Sequence, residues 1–150
     1  MRLIEGKHKS PRILVVDDEE SIRLLLVRIL EPLGYTVDAA PDAETALAMM
    51  QETPADVALC DIRMPGHDGG WLIKRLQGLY PETAIVIATG MHELDPRLTL
   101  GPGGIGYVTK PFAAKEVRDI VTRALGSARS TRPRTPLHLL EGPDEQDESE

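Results

Sequence analysis

Residues 13–30 read ILVVDDEESIRLLLVRIL, and the break between Val16 and Asp17 decides the fold. Ile13–Val16 is a solid aliphatic run that stops abruptly at Asp17-Asp18-Glu19. A strand without polar alternation is one covered on both faces, as in a parallel sheet. Beyond the acids, Ile22, Leu25, Leu26, Ile29 and Leu30 recur at i, i+3, i+4, i+7 and i+8, the spacing of one helix face. Ser21 or an upstream Asp is expected to cap that helix, and Pro32 and Gly34 to close it. The stretch is one β–α unit.

The unit recurs along the chain. Tyr35–Ala40 reads as a second strand, and Asp42 as the N-cap of a helix carrying Ala43, Ala46, Leu47 and Met50. A third run, Val57–Cys60, stops at Asp61 before a loop dense in turn residues, Arg63 to Gly70. A helix from about Trp71 to Leu79 follows, with Leu72, Leu76 and Leu79 on one face. Ala84–Ala88 ends at Thr89-Gly90, and Ile105–Val108 ends at Thr109-Lys110-Pro111. The last helix, Ala114–Leu125, turns Val117, Ile120, Val121, Ala124 and Leu125 inward. Between the fourth and fifth strands, Pro96, Gly101, Pro102, Gly103 and Gly104 leave room only for a short or irregular helix, about Asp95 to Leu100. The expected fold is α/β: a flavodoxin-like, doubly wound, five-stranded parallel sheet of order 2-1-3-4-5 with helices on both faces. Residues 1–10 read as a leader, 11–126 as the folded domain, and 127–150 as a disordered acidic tail whose last ten residues hold six acids.

Composition narrows the function. With 150 residues, 41% of them hydrophobic and 27% charged, the chain can bury a core unaided. A single cysteine, Cys60, excludes an internal disulfide and a Cys-built zinc site. A net charge of −7 argues against a nucleic-acid partner. The opening MRLIEGKHKS has no secretory stretch, and no apolar run approaches a membrane span. The expectation is a cytoplasmic protein with neither nucleic-acid nor membrane partners.

Parallel sheets bind ligands at the carboxyl ends of their strands. Four strands end in Asp17-Asp18, Asp61, Thr89 and Lys110, whereas the second ends in Ala39-Ala40-Pro41. In the order 2-1-3-4-5 that silent strand lies at the edge, and the other four ends converge. Three carboxylates in one crevice repel one another unless a cation joins them, and oxygen ligands suit Mg²⁺. A Lys and a Thr hydroxyl opposite them match phosphoryl oxygens, and an Asp can serve as nucleophile. Each residue alone is ordinary, a helix cap or a turn residue; the joint placement points to Mg²⁺-assisted phosphoryl transfer onto an Asp.

The segments ILVVDDEESIR, VALCDIRMPGHDGG, AIVIATG and GYVTKPF, in this order and spacing, resemble the receiver domain of two-component response regulators, from about Pro11 to Leu125. The resemblance implies that Asp61 is the phosphoacceptor, and that Asp17, Asp18, Asp61 and the backbone carbonyl of Arg63 bind Mg²⁺. It implies that Thr89 and Lys110 contact the phosphoryl group, that Tyr107 is the aromatic switch, and that the Lys110–Pro111 bond is cis. It also assigns control of hydrolysis to the positions of Arg63 and Met91. The partner would be a sensor histidine kinase or a histidine phosphotransfer protein, in a two-component system or phosphorelay. The downstream protein target is unknown, and output would pass through protein contacts. The chain would catalyse only its own phosphorylation and dephosphorylation. The tail is too short for an effector domain, so a stand-alone receiver is expected. Three other readings compete. One is a receiver-like interaction module that is not phosphorylated. Another is an aspartate-nucleophile phosphatase, disfavoured because such enzymes carry Asp-x-Asp after the first strand. The third is a flavodoxin-like cofactor binder, disfavoured by the acidic crevice.

Overall fold

Successive side chains of a strand point to opposite faces, so four buried aliphatic residues in a row need a layer on each side. The structure, a computed structural model, describes residues 10–62, 69–89 and 104–131 and supplies both layers. Strands β1 (Arg12–Val16), β2 (Thr36–Ala40), β3 (Val57–Cys60), β4 (Ala84–Thr89) and β5 (Gly104–Thr109) form one parallel sheet of order β2-β1-β3-β4-β5. This is the expected order, and it leaves the silent second strand at the edge. Helices α1 (Glu20–Leu30), α2 (Ala43–Glu52), α3 (Gly69–Leu79) and α4 (Ala114–Thr131) cover it, with a 3-10 turn at Glu31–Leu33. Ile13, Val15, Val57, Leu59 and Val86 pack under α1 and α4 with Leu26, Leu30, Val117 and Val121. Their neighbours Leu14, Val16, Ala58, Cys60 and Ile85 pack under α2 and α3 with Ala46, Met50, Leu72 and Leu76.

Several local readings change. Leu25 is 39% exposed; at about 100° per residue it is the member of its set turned farthest from the buried pair Leu26 and Leu30. Leu79, the last residue of α3, is 57% exposed, because Leu72, Ile73 and Leu76 centre the buried face elsewhere. Glu19, not Ser21 or an Asp, is the N-cap of α1, and it makes no side-chain cap bond. Asp42 caps α2 as expected, accepting from the Thr45 N–H at 2.7 Å. Pro32 does end α1: the chain tightens into the 3-10 turn and leaves it through Gly34 at φ 93°. Helix α4 runs to Thr131, past the boundary expected at residue 126. Ala128 and Arg129 are residue types with good helix propensity. Residues 1–9 of the leader expected at 1–10, residues 132–150 of the tail expected at 127–150, and the short helix expected at 95–100 lie outside the described residues.

Candidate functional site

Val16 and Cys60 are register partners on the adjacent strands β1 and β3, so the residues that follow them, Asp17 and Asp61, emerge side by side. The ladder extends into the site. The Asp17 N–H donates to the Ala40 carbonyl at 3.1 Å, and the Asp61 N–H to the Val16 carbonyl at 2.9 Å. Asp17 and Asp61 are only 1% and 4% exposed, while Asp18 beside them faces solvent. Carboxylate oxygens of Asp17, Asp18 and Asp61 all lie within 4.8 Å of one another.

Lys110 arrives from the far edge. It follows β5 directly, at a Lys110–Pro111 bond that is cis, as the resemblance implies. Its Nζ stands 3.0 Å from Asp17 Oδ2, 3.2 Å from Asp61 Oδ2 and 3.8 Å from Glu19 Oε1. Burial alone would lower its pKa, but the contact with Asp17 and the charges of Asp61 and Asp17 outweigh burial and hold it above the usual 10.5. The ammonium is therefore charged at neutral pH. Cys60 stays out of the chemistry: burial first, then the charge of Asp61, push its thiol up to about 12.

Among the described residues, Lys110 brings a single positive charge to the three carboxylates. Asp17 Oδ1 accepts from the Glu19 N–H at 2.9 Å. Asp17 Oδ2 is buried and, although near Lys110, has no aligned donor among the described residues. A buried carboxylate oxygen without a hydrogen bond is costly. It sits in an all-oxygen cluster, the donor set Mg²⁺ takes; the residues fit the ion.

The structure thus brings together Asp17, Asp18, Asp61 and Lys110. Thr89 is the last residue of β4, paired in register with Thr109 two residues along from Tyr107. Tyr107 lies on β5 and is 44% exposed, directed out of the core. Arg63 and Met91 fall outside the described residues. Two residues escaped the sequence reading. Glu19 adds a third carboxylate near Lys110, and Arg23 Nη1 donates to the Asp17 carbonyl at 2.8 Å. The available signal was their closeness in sequence to the acidic pair, four residues apart at the start of α1.

Residues 13–122 match the family described as response regulator receiver domain. The chain is 36% identical over 115 residues to the regulatory protein AtoC of Escherichia coli, covering 76% of this chain and 25% of that protein. It is 39% identical over 128 residues to the transcriptional regulatory protein AruR of Pseudomonas aeruginosa, covering 81% and 51%. The chain therefore spans a quarter to about half the length of these curated relatives. Among solved structures, the signal receiver domain of an HD domain-containing protein from Pseudomonas fluorescens superposes with a TM-score of 0.75. The two share 30% identity, over 81% of this chain and 98% of that one. The receiver domain of NtrX from Brucella abortus gives a TM-score of 0.72 at 31% identity, over 77% and 98%.

Proposed function

The chain belongs to the response regulator receiver family, the phosphorylation-activated switches of two-component signalling, and from that membership we propose that Asp61 is its phosphoacceptor. The observation that carries the reading is the placement of Lys110 Nζ between two nearly buried carboxylates, 3.0 Å from Asp17 and 3.2 Å from Asp61.

The donor is a phosphohistidine on a sensor kinase or a phosphotransfer protein. An Asp61 oxygen attacks phosphorus, the P–N bond breaks, and its electron pair returns to the imidazole. Phosphoryl transfer asks mainly for position and charge compensation. Lys110 supplies a fixed cation for the phosphoryl oxygens, and the Thr89 hydroxyl is the second donor. Asp17, Asp18, Asp61 and the Arg63 carbonyl would hold Mg²⁺, which neutralises charge building on the transferred group. Tyr107 follows the phosphorylated state, and output passes by protein contact without nucleic acid. The only reactions the chain promotes are gain and loss of its own phosphoryl group. We assign it to the cytoplasm; among the described residues no helix is long and apolar enough to cross a membrane.

The test is intact-mass measurement after incubation with acetyl phosphate and Mg²⁺. The wild type should gain one phosphoryl group and Asp61→Asn none. An adduct persisting in Asp61→Asn would move the acceptor elsewhere, and a wild type that gains nothing would favour the unphosphorylated interaction module.

A further inference from the structure

Asp17 is held through its backbone and through one carboxylate oxygen. Its N–H donates to Ala40, its Oδ1 accepts from the Glu19 N–H, and its Oδ2 faces Lys110. Its carbonyl accepts from Arg23 Nη1 at 2.8 Å, six residues on. Arg23 itself is rooted in the first turn of α1, where its N–H donates to the Glu19 carbonyl at 3.1 Å. From that turn the guanidinium reaches back to the Asp17 carbonyl and ties the loop to the helix. The peptide unit is planar. Holding the Asp17 oxygen therefore fixes the whole plane that ends at the Cα of Asp18. Asp18 is exposed and has no core packing to hold it, so its direction depends on that plane.

We propose that Arg23 is a positioning residue of the acidic crevice: by holding the Asp17 carbonyl it aims Asp18 and sets the crevice's affinity for a divalent cation. The inference rests on the phosphoacceptor reading above. Charge and position act in opposite directions here, which makes the proposal decidable. A guanidinium beside the crevice repels an incoming cation, so its charge alone weakens Mg²⁺ binding. Its grip on the carbonyl strengthens binding by pre-orienting a ligand.

The experiment measures Mg²⁺ affinity from the rise in melting temperature, alongside the rate of phosphorylation by acetyl phosphate across Mg²⁺ concentrations. Arg23→Met keeps much of the stem but removes charge and donor. It should weaken Mg²⁺ binding about tenfold, the low end for substitutions behind a metal ligand, with the rate restored at saturating Mg²⁺. Arg23→Lys, which keeps a charged donor, should recover most of the affinity. Should Arg23→Met fail to fold, Arg23→Gln, too short to keep the bond, is expected to weaken Mg²⁺ in the same way. Unchanged or tighter Mg²⁺ binding in the neutral variants overturns the proposal, as does a melting point lowered without Mg²⁺ at constant affinity. A wild type that is phosphorylated at Asp61 while these variants bind Mg²⁺ normally refutes only the role of Arg23. A wild type indifferent to Mg²⁺ sinks both readings.

Discussion

Lys110 is the residue whose loss the buried site feels most directly. Its ammonium faces Asp17 and Asp61, whose side chains are 1% and 6% exposed. Removing one partner of a buried ion pair leaves the other charge uncompensated. Lys110→Met should therefore lower stability by about 3 kcal/mol in Mg²⁺-free urea unfolding at neutral pH. The sign of the pH dependence follows from the raised pKa. A cation held above its usual 10.5 contributes in full below that value and loses its contribution as pH rises through the folded value. The gap between wild type and variant should be constant from pH 7 to 10 and narrow only above the usual 10.5. A gap that closes near pH 8 would show that Lys110 is not held by these carboxylates. Cys60, one residue before Asp61, is held neutral by its burial.

At the scale of single elements, the helices separate what periodicity can decide from what it cannot. Leu25 and Leu26 are adjacent on α1, and both fit the apolar spacing, yet they are 39% and 1% exposed. Leu26→Ala should cost about 3 kcal/mol as a core truncation, and Leu25→Ala less than about 1 kcal/mol. Equal costs in denaturant unfolding would mean that α1 is rotated about its axis. Helix α2 gives a second test at its start. Asp42 accepts from the Thr45 N–H, and hydrogen bonding with the Thr45 side chain first, then with that N–H, holds its carboxyl below the usual 3.8. Asp42→Ala should cost about 1 kcal/mol at neutral pH, the usual worth of an N-cap. A depressed carboxyl pKa contributes above the unfolded value and is lost as pH falls through the folded one, so the difference should shrink in acid below 3.8 to that of a neutral cap. A difference that stays constant or grows down to pH 2 would mean that the carboxylate charge does not support the cap.

The whole molecule is a sheet whose carboxyl edge gathers charge, and this edge was legible because each of its residues ends an aliphatic run. Asp17, Asp61 and Lys110 could be assigned to one crevice because the order 2-1-3-4-5 puts the silent β2 at the edge and makes the other four strands consecutive. The grip of Arg23 on Asp17 and the approach of Glu19 to Lys110 were not legible, because they depend on how a loop folds back and not on any period. The length of α4 was missed for another reason: Gly126 and Ser127 look like a change of composition, but the helix passes through them. The legible part carries a consequence for the fold as a unit. Asp17 and Asp61 are buried, Asp18 stands beside them, and their oxygens lie within 4.8 Å of one another, so the folded state holds repulsion among the three carboxylates that the unfolded chain relieves. A cation that binds only the folded state stabilises it by mass action. Mg²⁺ at a hundredfold excess over its dissociation constant should add about 2.7 kcal/mol, raising the melting temperature by on the order of 8 °C for a chain of this size. NaCl at equal ionic strength should not reproduce the shift, because screening acts weakly on buried charges. Asp18→Ala should flatten the Mg²⁺ response while leaving the Mg²⁺-free melting point equal to or above that of the wild type, since it removes a repelling charge from an exposed position. A melting temperature indifferent to Mg²⁺, or one that NaCl raises equally, would mean that the three carboxylates do not act as a single site.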